Sequence, residues 1–170
     1  MKLHVACGEK RLPGFTHVDG RADTHPDIVA DFRSMPMIKD NSVELVYLCH
    51  GLEHVLLREA VSTLQELRRV LVSGGVLRLS VPDFAALVGL YNKGVPLRII
   101  RGAICGGQEY ELNIHYSVWD EFSLAEALNA AGFTSIRRYD PFAVLPKGYF
   151  DWSIGKIAGQ YISLNMEARK

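Results

Sequence analysis

The stretch Leu3-His-Val-Ala-Cys-Gly-Glu-Lys-Arg-Leu-Pro-Gly-Phe-Thr-His-Val-Asp19 decides the fold. Its pattern is typical of a β-strand, a tight turn at Gly8 and a second β-strand that ends in a carboxylate. Doubly wound α/β sheets build the pocket for a ribose-bearing cofactor in this way: the glycine lets the backbone pass close to the ligand, and the carboxylate accepts hydrogen bonds from ribose hydroxyls. The connector is too short for the usual helix, so we expect no helix after strand one.

Working outward, strand-like and helix-like segments alternate along the rest of the chain, which predicts an α/β fold with a mainly parallel sheet. Apolar side chains recur at helical spacing over residues 55–72, and Ser73-Gly74-Gly75 is expected to end that helix. The capping box Ser123-Leu-Ala-Glu126 predicts a second helix, which should end at Gly132. Strands are expected at residues 3–6, 15–19, 28–32, 43–49, 75–81, 134–139 and 161–168.

Length and composition narrow the class of protein. The 170 residues suit one domain over residues 1–170, and 48% hydrophobic residues are enough for a full core. The zero net charge disfavours a nucleic-acid or anionic-membrane partner. We find no apolar run of membrane-spanning length and no signal peptide at Met1-Lys-Leu-His4. The three cysteines are too few and too far apart for a disulfide scaffold or a zinc ribbon, so we expect a cytoplasmic protein with reduced thiols.

Three features fall at the predicted carboxyl ends of the first three strands. They are the turn at residues 6–8, the carboxylate of Asp19, and the pair Asp31-Phe32. Ligands of open α/β sheets bind at that edge, next to the point where the strand order reverses. Each feature alone is common in structural roles, but the three together, in this order, favour a ligand site.

Further segments extend this pattern. They are Ala30-Asp-Phe-Arg-Ser-Met-Pro36, Asp40-Asn-Ser-Val-Glu-Leu-Val46, Leu52-Glu-His54, Arg69-Val-Leu-Val-Ser-Gly-Gly-Val-Leu-Arg-Leu-Ser-Val-Pro82 and Ala131-Gly-Phe133. With them the chain resembles, over residues 3–140, the class I S-adenosylmethionine-dependent methyltransferases of the broad group called type 11. The resemblance implies a doubly wound, Rossmann-like sheet of seven strands in the order 3-2-1-4-5-7-6, with strand seven antiparallel. It also implies methyl transfer from S-adenosylmethionine, with S-adenosylhomocysteine as product; the neutral charge favours a small-molecule acceptor.

The resemblance also implies roles for residues at the strand ends. The turn after strand one would lie under the methionine part of the cofactor, and Asp19 would accept from the ribose hydroxyls. Asp31 would accept from the adenine amino group, with Phe32 beside the ring, and residues 48–50 would line the pocket near the sulfonium. The implied cofactor-binding residues are therefore Ala6, Cys7, Gly8, Asp19, Asp31, Phe32, Leu48, Cys49 and His50.

The turn after strand one departs from the family pattern. The family turn usually carries three glycines, whereas only Gly8 remains here and Lys10 stands where the third would open a helix. Without that helix, its N-terminal amides cannot serve the cofactor. The main alternative to an enzyme is therefore a non-catalytic binding or interaction module of the same fold.

A rival motif is His50-Gly-Leu-Glu-His54, which matches the H-x-x-E-H signature of inverted zinc proteases. On a helix, two imidazoles four residues apart could bind a metal, with Glu53 as general base of a zinc hydrolase. The sequence supplies no clear third ligand, and Leu-Glu-His often opens the next helix in the family that the chain resembles. We therefore expect no metal at this motif.

Two residues are candidates for the acceptor side. Asp83 follows strand five, and His115 lies after the pair Gly106-Gly107, in a segment expected to close over the cofactor. A histidine can deprotonate an oxygen or nitrogen nucleophile near neutral pH. Methyl transfer depends more on orientation than on acid–base groups, because it is an in-line displacement at a sulfonium.

The connectors at residues 7–14 and 20–27 are shorter than the dozen or so residues of a normal parallel crossover. They cannot hold the two helices that would cover one face of the sheet. Parallel strands are normally buried on both faces. We therefore expect that face to be buried in a homodimer or, alternatively, by residues 84–119.

Overall fold

A computed structural model describes all 170 residues, Met1–Lys170. Its strands are β1 (Lys2–Val5), β2 (Thr16–Asp19), β3 (Ile28–Val29), β4 (Val43–Cys49), β5 (Leu71–Pro82), β6 (Thr134–Arg138), β7 (Lys156–Ile157), β8 (Gln160–Tyr161) and β9 (Ser163–Arg169). Seven of them form one sheet in the order β3-β2-β1-β4-β5-β9-β6, while β7 and β8 form a separate ribbon. Strands β1 to β5 pair in parallel and β9 runs antiparallel between β5 and β6. With β9 as the seventh sheet strand, the predicted order is confirmed.

The helices are α1 (Ala60–Val70), α2 (Phe84–Asn92), α3 (Leu97–Cys105), α4 (Glu121–Ala130) and the short α5 (Pro141–Val144). Short 3-10 turns lie at Ala22–Thr24, Leu52–His54, Leu57–Glu59 and Trp152–Ile154. As the connector lengths predict, β1 and β2 are joined without a helix, and β2 and β3 by a 3-10 turn alone. None of the helices combines the length and apolar character needed to cross a membrane.

The helix predicted at residues 55–72 is shorter at both ends. Leu56 is extended, with φ −58° and ψ 138°, so the residues before α1 form two 3-10 turns instead of a helical turn. At the other end Leu71 already pairs with Val43 of β4, which starts β5 early. Ser73-Gly74-Gly75 therefore lies inside β5, where the pairing with β4 shifts register.

The predicted capping box is displaced by one turn. Asp120, not Ser123, is the N-cap of α4: its side chain accepts from the backbone N–H of Ser123 at 2.8 Å. The Ser123 hydroxyl in turn accepts from the backbone N–H of Asp120 at 3.1 Å. An earlier carboxylate thus takes the cap, and Ser123 becomes its reciprocal partner. Gly132, with φ +90°, follows the end of the helix as predicted.

One sheet face forms the main core with α1 and α4. Alternate strand residues point to this face, and each helix contributes the stripe of leucines that its period predicts. Fully buried members of this cluster are Leu3, Val5, Val46, Leu48, Leu77 and Leu79 from the strands and Leu64, Leu67, Leu124 and Leu128 from the helices. A smaller cluster joins α2 and α3 to the β7–β8 ribbon through Leu87, Leu90, Ile100 and Ile157.

The opposite sheet face is polar and is covered by the segment after β6. Tyr47 donates through its hydroxyl to Asp151 Oδ2 at 2.7 Å, and the Asn165 amide donates to the Ser153 carbonyl at 3.0 Å. The prediction that residues 84–119 cover this face is wrong. The long connection between β6 and β9 reaches the space that the two missing helices leave free.

Candidate functional site

The turn after β1 has the backbone shape of a binding turn. Ala6 and Gly8 both have positive φ, +49° and +52°, a conformation that side chains disfavour and glycine adopts freely. A Cβ added to Gly8 would meet nothing within 4 Å, so this part of the turn is open. A Cβ added to Gly51 would instead lie 3.0 Å from the Ala6 Cβ. The turns after β1 and β4 therefore touch, and they form one edge.

Asp19 connects this edge to β2. Asp19 is 8% exposed; its Oδ2 accepts from the Gly8 N–H at 2.7 Å and its Oδ1 from the Arg21 N–H at 2.8 Å. Each carboxylate oxygen has a second lone pair. Asp19 can therefore hold the glycine turn and still accept hydrogen bonds from a ligand hydroxyl.

Arg11 stands where a helix would normally follow β1, and the sequence reasoning missed it. Its guanidinium donates to the carbonyl oxygens of Gly8 and Lys10, both at 2.8 Å, and across to those of Thr24 and His25. A guanidinium suits this task because its donors form a rigid planar fork. The short connector could have indicated such a residue, because without a helix its backbone carbonyl groups need donors from a side chain.

Cys7 lies beneath the turn as a buried thiol. Burial, reinforced by the neighbouring Asp19 carboxylate, raises the pKa of Cys7 to about 11. The thiol is therefore protonated at neutral pH and offers the site a small apolar surface rather than a nucleophile.

Asp31, beyond β3, is already engaged by its neighbour. The Arg33 Nε lies 3.0 and 2.9 Å from the two carboxylate oxygens, and Nη2 lies 2.6 Å from Oδ2. Burial alone would raise the pKa of Asp31, but the Arg33 guanidinium outweighs it and lowers the pKa below its usual value. Phe32 is half-buried against the main core. Their proposed contacts with adenine stay predictions.

At the end of β4, Leu48 is fully buried in the core, whereas Cys49 and His50 are half-buried. His50 has positive φ, +51°; its Nε2 lies 2.8 Å from the Ser163 hydroxyl and its Nδ1 lies 3.2 Å from Glu53 Oε1. Burial raises the pKa of the Cys49 thiol. Leu48 can therefore shape the pocket only from below, while the next two residues reach its surface.

Residues 106–117 bridge the ends of two strands. Beyond β2, the Tyr110 ring centroid lies 4.8 Å from the Arg21 guanidinium carbon. Beyond β4, the backbone N–H of Tyr116 donates to the Glu53 carbonyl at 2.8 Å. The segment expected to close over the cofactor thus contacts the ends of both β2 and β4.

This segment places His115 beside Glu53 and His54, whose rings and carboxylate offer ligand atoms all within 4.8 Å of one another. The two imidazole centroids are 4.8 Å apart. Burial lowers the pKa of His115 below its usual value, with the Glu53 carboxylate acting in the opposite direction. Burial likewise opposes ionisation of Glu53, but the imidazoles of His50, His54 and His115 lower its pKa overall. Residues 52–54 form a 3-10 turn, not the helix that the H-x-x-E-H motif suggests.

Asp83 lies at the end of β5 and has a structural task. Its Oδ1 accepts from the backbone N–H groups of Ala85 and Ala86 at 3.1 and 3.4 Å, which caps α2. Its Oδ2 lies 3.6 Å from an Arg138 guanidinium nitrogen. A role for Asp83 on the acceptor side stays a prediction. Capping α2 is a structural role that does not depend on an acceptor.

The chain is similar to known methyltransferases in part of its sequence and in its fold. Residues 13–79 match the family model described as a methyltransferase domain. No curated protein matches. Among solved structures, a methyltransferase of Methanosarcina mazei is 17% identical, with 99% of this chain and 91% of that chain covered at a TM-score of 0.64. One from Archaeoglobus fulgidus is 13% identical, with 99% and 85% covered at 0.62.

A third solved structure is the 1,6-didemethyltoxoflavin-N1-methyltransferase of Burkholderia thailandensis, which holds 1,6-didemethyltoxoflavin and S-adenosylhomocysteine. It is 16% identical, with 99% of this chain and 70% of that chain covered at a TM-score of 0.59. At these identities the structural likeness shows the fold. The chain therefore has the Rossmann-like fold of these methyltransferases, and residues 13–79 within it match the methyltransferase-domain model.

Proposed function

We propose that this chain transfers a methyl group from S-adenosylmethionine to a small-molecule nucleophile. The observation that carries the proposal is the buried carboxylate of Asp19, hydrogen-bonded to the open turn at Gly8. A carboxylate with spare lone pairs beside an unobstructed backbone turn fits a ribose-bearing cofactor. When bound, S-adenosylmethionine supplies an electrophilic methyl group on a sulfonium.

In this proposal each strand end binds a different part of the cofactor. Asp19 holds the ribose hydroxyls, and the backbone of residues 6–8 lies under the methionine part. Asp31 and Phe32 flank the adenine, with Arg33 keeping the Asp31 carboxylate ionised. Residues 48–50 line the wall near the sulfonium. The bridging of β2 and β4 by residues 106–117 supports exclusion of water from this space.

On the acceptor side, the proposal places His115 in contact with the acceptor through Nε2, the ring atom that its hydrogen bond to the Ala103 carbonyl leaves free. Asp83 supports that side by fixing the start of α2. Zero net charge supports a small molecule over a nucleic acid as acceptor.

We further propose a cytoplasmic location, a single domain over residues 1–170 and a homodimer. The location is supported by the three free cysteines. The dimer is supported by exposed apolar side chains on α2 and α3. These side chains are Phe84, Val88, Tyr91 and Leu97. The sheet face does not support it, because the segment after β6 covers that face.

The test is calorimetry with S-adenosylhomocysteine, followed by a methyl-transfer screen against cell extract. Asp19→Asn keeps the shape of the side chain but removes charge-assisted hydrogen bonds worth about 1.5–3 kcal/mol. We expect affinity to fall roughly 10- to 100-fold. The control is Asp23→Asn, which removes an exposed carboxylate four residues further on, in the 3-10 turn after β2, and should leave affinity unchanged.

Equal affinity for both variants would remove Asp19 from the site, and a wild-type protein that binds no cofactor at millimolar concentration would refute the proposal. Binding without any methyl transfer would assign the chain to the non-catalytic alternative.

A further inference from the structure

Glu53 is a buried carboxylate without a hydrogen-bond partner. Its side chain is 1% exposed, and neither carboxylate oxygen accepts a hydrogen bond, although His50 Nδ1 lies 3.2 Å from Oε1. Leaving a buried charged group unpartnered is costly, because its lost hydration is not replaced. The main chain of the same residue is well satisfied, since its carbonyl accepts from the N–H groups of Tyr116 and Ser117. The carboxylate can therefore accept a cation as a further partner, beside the His50 imidazole.

Two imidazoles face this carboxylate in a fixed tautomer. The Nδ1 of His54 lies 3.1 Å from the Ile114 carbonyl oxygen, and the Nδ1 of His115 lies 3.2 Å from that of Ala103. A carbonyl oxygen can only accept, so in its neutral form each ring carries its proton on Nδ1 and leaves Nε2 with a free lone pair. Metal-binding histidines are held in this way, with the second ring nitrogen donating to a carbonyl or carboxylate.

We propose that Glu53, His54 and His115 form a binding site for one divalent transition-metal ion, with zinc as the best match. Two neutral imidazoles and one carboxylate are the ligand set of many catalytic zinc sites, which keep a fourth position open. The three ligand atoms already lie within 4.8 Å of one another. In a tetrahedral site with zinc bonds of about 2.0–2.1 Å, ligand atoms are about 3.4 Å apart.

This site differs from the one that the H-x-x-E-H motif suggests. The motif pairs His50 with His54, but the Nε2 of His50 is hydrogen-bonded to the Ser163 hydroxyl. His115, brought in by residues 106–117, supplies the ligand that the motif lacks. His54 and His115 are both half-buried, so the fourth position can be reached by water or by a ligand. With metal bound, the Nε2 of His115 is a ligand, so this site replaces the contact with the acceptor that the proposed function assigns to that atom.

The test measures zinc itself, and so does not depend on methyl transfer. Wild-type protein, dialysed against zinc and then against buffer, should retain about one zinc per chain by elemental analysis, and cobalt should give the visible absorption of a tetrahedral site. Glu53→Gln, His54→Ala and His115→Ala should each weaken zinc at least ~100-fold in competition with a chelator, since outer-shell changes alone cost 10–100-fold. His25→Asn is the control, because His25 is exposed and asparagine tolerates its positive φ.

His50→Ala separates the two arrangements: in the site proposed here it removes only a neighbour of Glu53 and should weaken zinc less than each of the three ligand substitutions, whereas in the motif-based site it removes a ligand. Circular dichroism checks that each variant is folded. Zinc that stays below one-tenth per chain in the wild type, or that survives all three ligand substitutions, would overturn the proposal. Should the variants fail to fold, the wild-type cobalt spectrum decides, and a spectrum without a tetrahedral band rejects the site.

Discussion

His4 on β1 shows how one buried side chain links this fold to pH. The imidazole is 2% exposed, and its ring packs 5.3 Å from that of Tyr47. Burial, aided by the neighbouring His17, lowers the pKa of His4 to about 4. In the unfolded chain a histidine has a pKa of about 6.5. Between these values the unfolded state binds more protons, so the protein must lose stability as the pH falls through this window.

We predict that protonation of His4 in the unfolded state alone lowers the free energy of unfolding by about 2 kcal/mol between pH 7 and pH 5. His4→Asn should lack that part of the decline, whatever its stability at pH 7. Urea unfolding at both pH values measures the difference directly. His25→Asn removes an exposed histidine and should keep the wild-type decline. An equal decline in His4→Asn would show that His4 is not held neutral by the fold.

At the scale of elements, the connector between β1 and β2 has no helix, and the side chain of Arg11 holds it in place. Arg11 joins the carbonyl groups of Gly8 and Lys10 to those of Thr24 and His25, so that two neighbouring loops move as one. Lysine keeps the charge but is a single-point donor and cannot span these acceptors.

We predict that Arg11→Lys loosens both loops while the sheet stays intact. The amides of Lys10 and His25, which donate to the carbonyls of Cys7 and Ala22, should exchange with deuterium about 10-fold faster. The affinity for S-adenosylhomocysteine should fall at the same time. Arg58→Lys, whose wild-type side chain is 77% exposed, is the control. Unchanged exchange at both amides would mean that other contacts fix the turn.

Elements were predictable where local pattern and burial agree. Strand β4 lies at the predicted residues 43–49, because its apolar run is bounded by polar residues and buried by neighbours on both sides. The start of α1 was not predictable, since it depends on the extended backbone at Leu56. At the site, the position of Asp19 was predictable, because a carboxylate at the end of a predicted strand lies at the sheet edge where ligands bind. The approach of His115 to Glu53 does not, because it depends on hydrogen bonds made by a distant segment.

At the scale of the whole molecule, the missing helices change how the surface is used. The segment between β6 and β9 covers the polar sheet face, with Tyr47 and Asp151 as a buried hydrogen-bonded pair. The apolar surface left exposed lies elsewhere, on α2 and α3, where Phe84, Val88 and Tyr91 are 41%, 38% and 57% exposed. Contiguous apolar surface of this kind favours association.

We predict that the wild-type protein sediments at micromolar concentration with twice the 19.0 kDa mass of one chain. Val88→Glu places a charge in the middle of the α2–α3 surface, and burying an unpaired charge would cost several kcal/mol, so this variant should sediment as a monomer. Phe142→Glu is the comparison variant, since Phe142 is an exposed aromatic residue (58%) on α5, in the segment between β6 and β9, with its ring against that of Tyr161. A wild-type mass of 19.0 kDa would reject the homodimer. A dimer that survives Val88→Glu but not Phe142→Glu would move the interface to the segment that covers the polar sheet face.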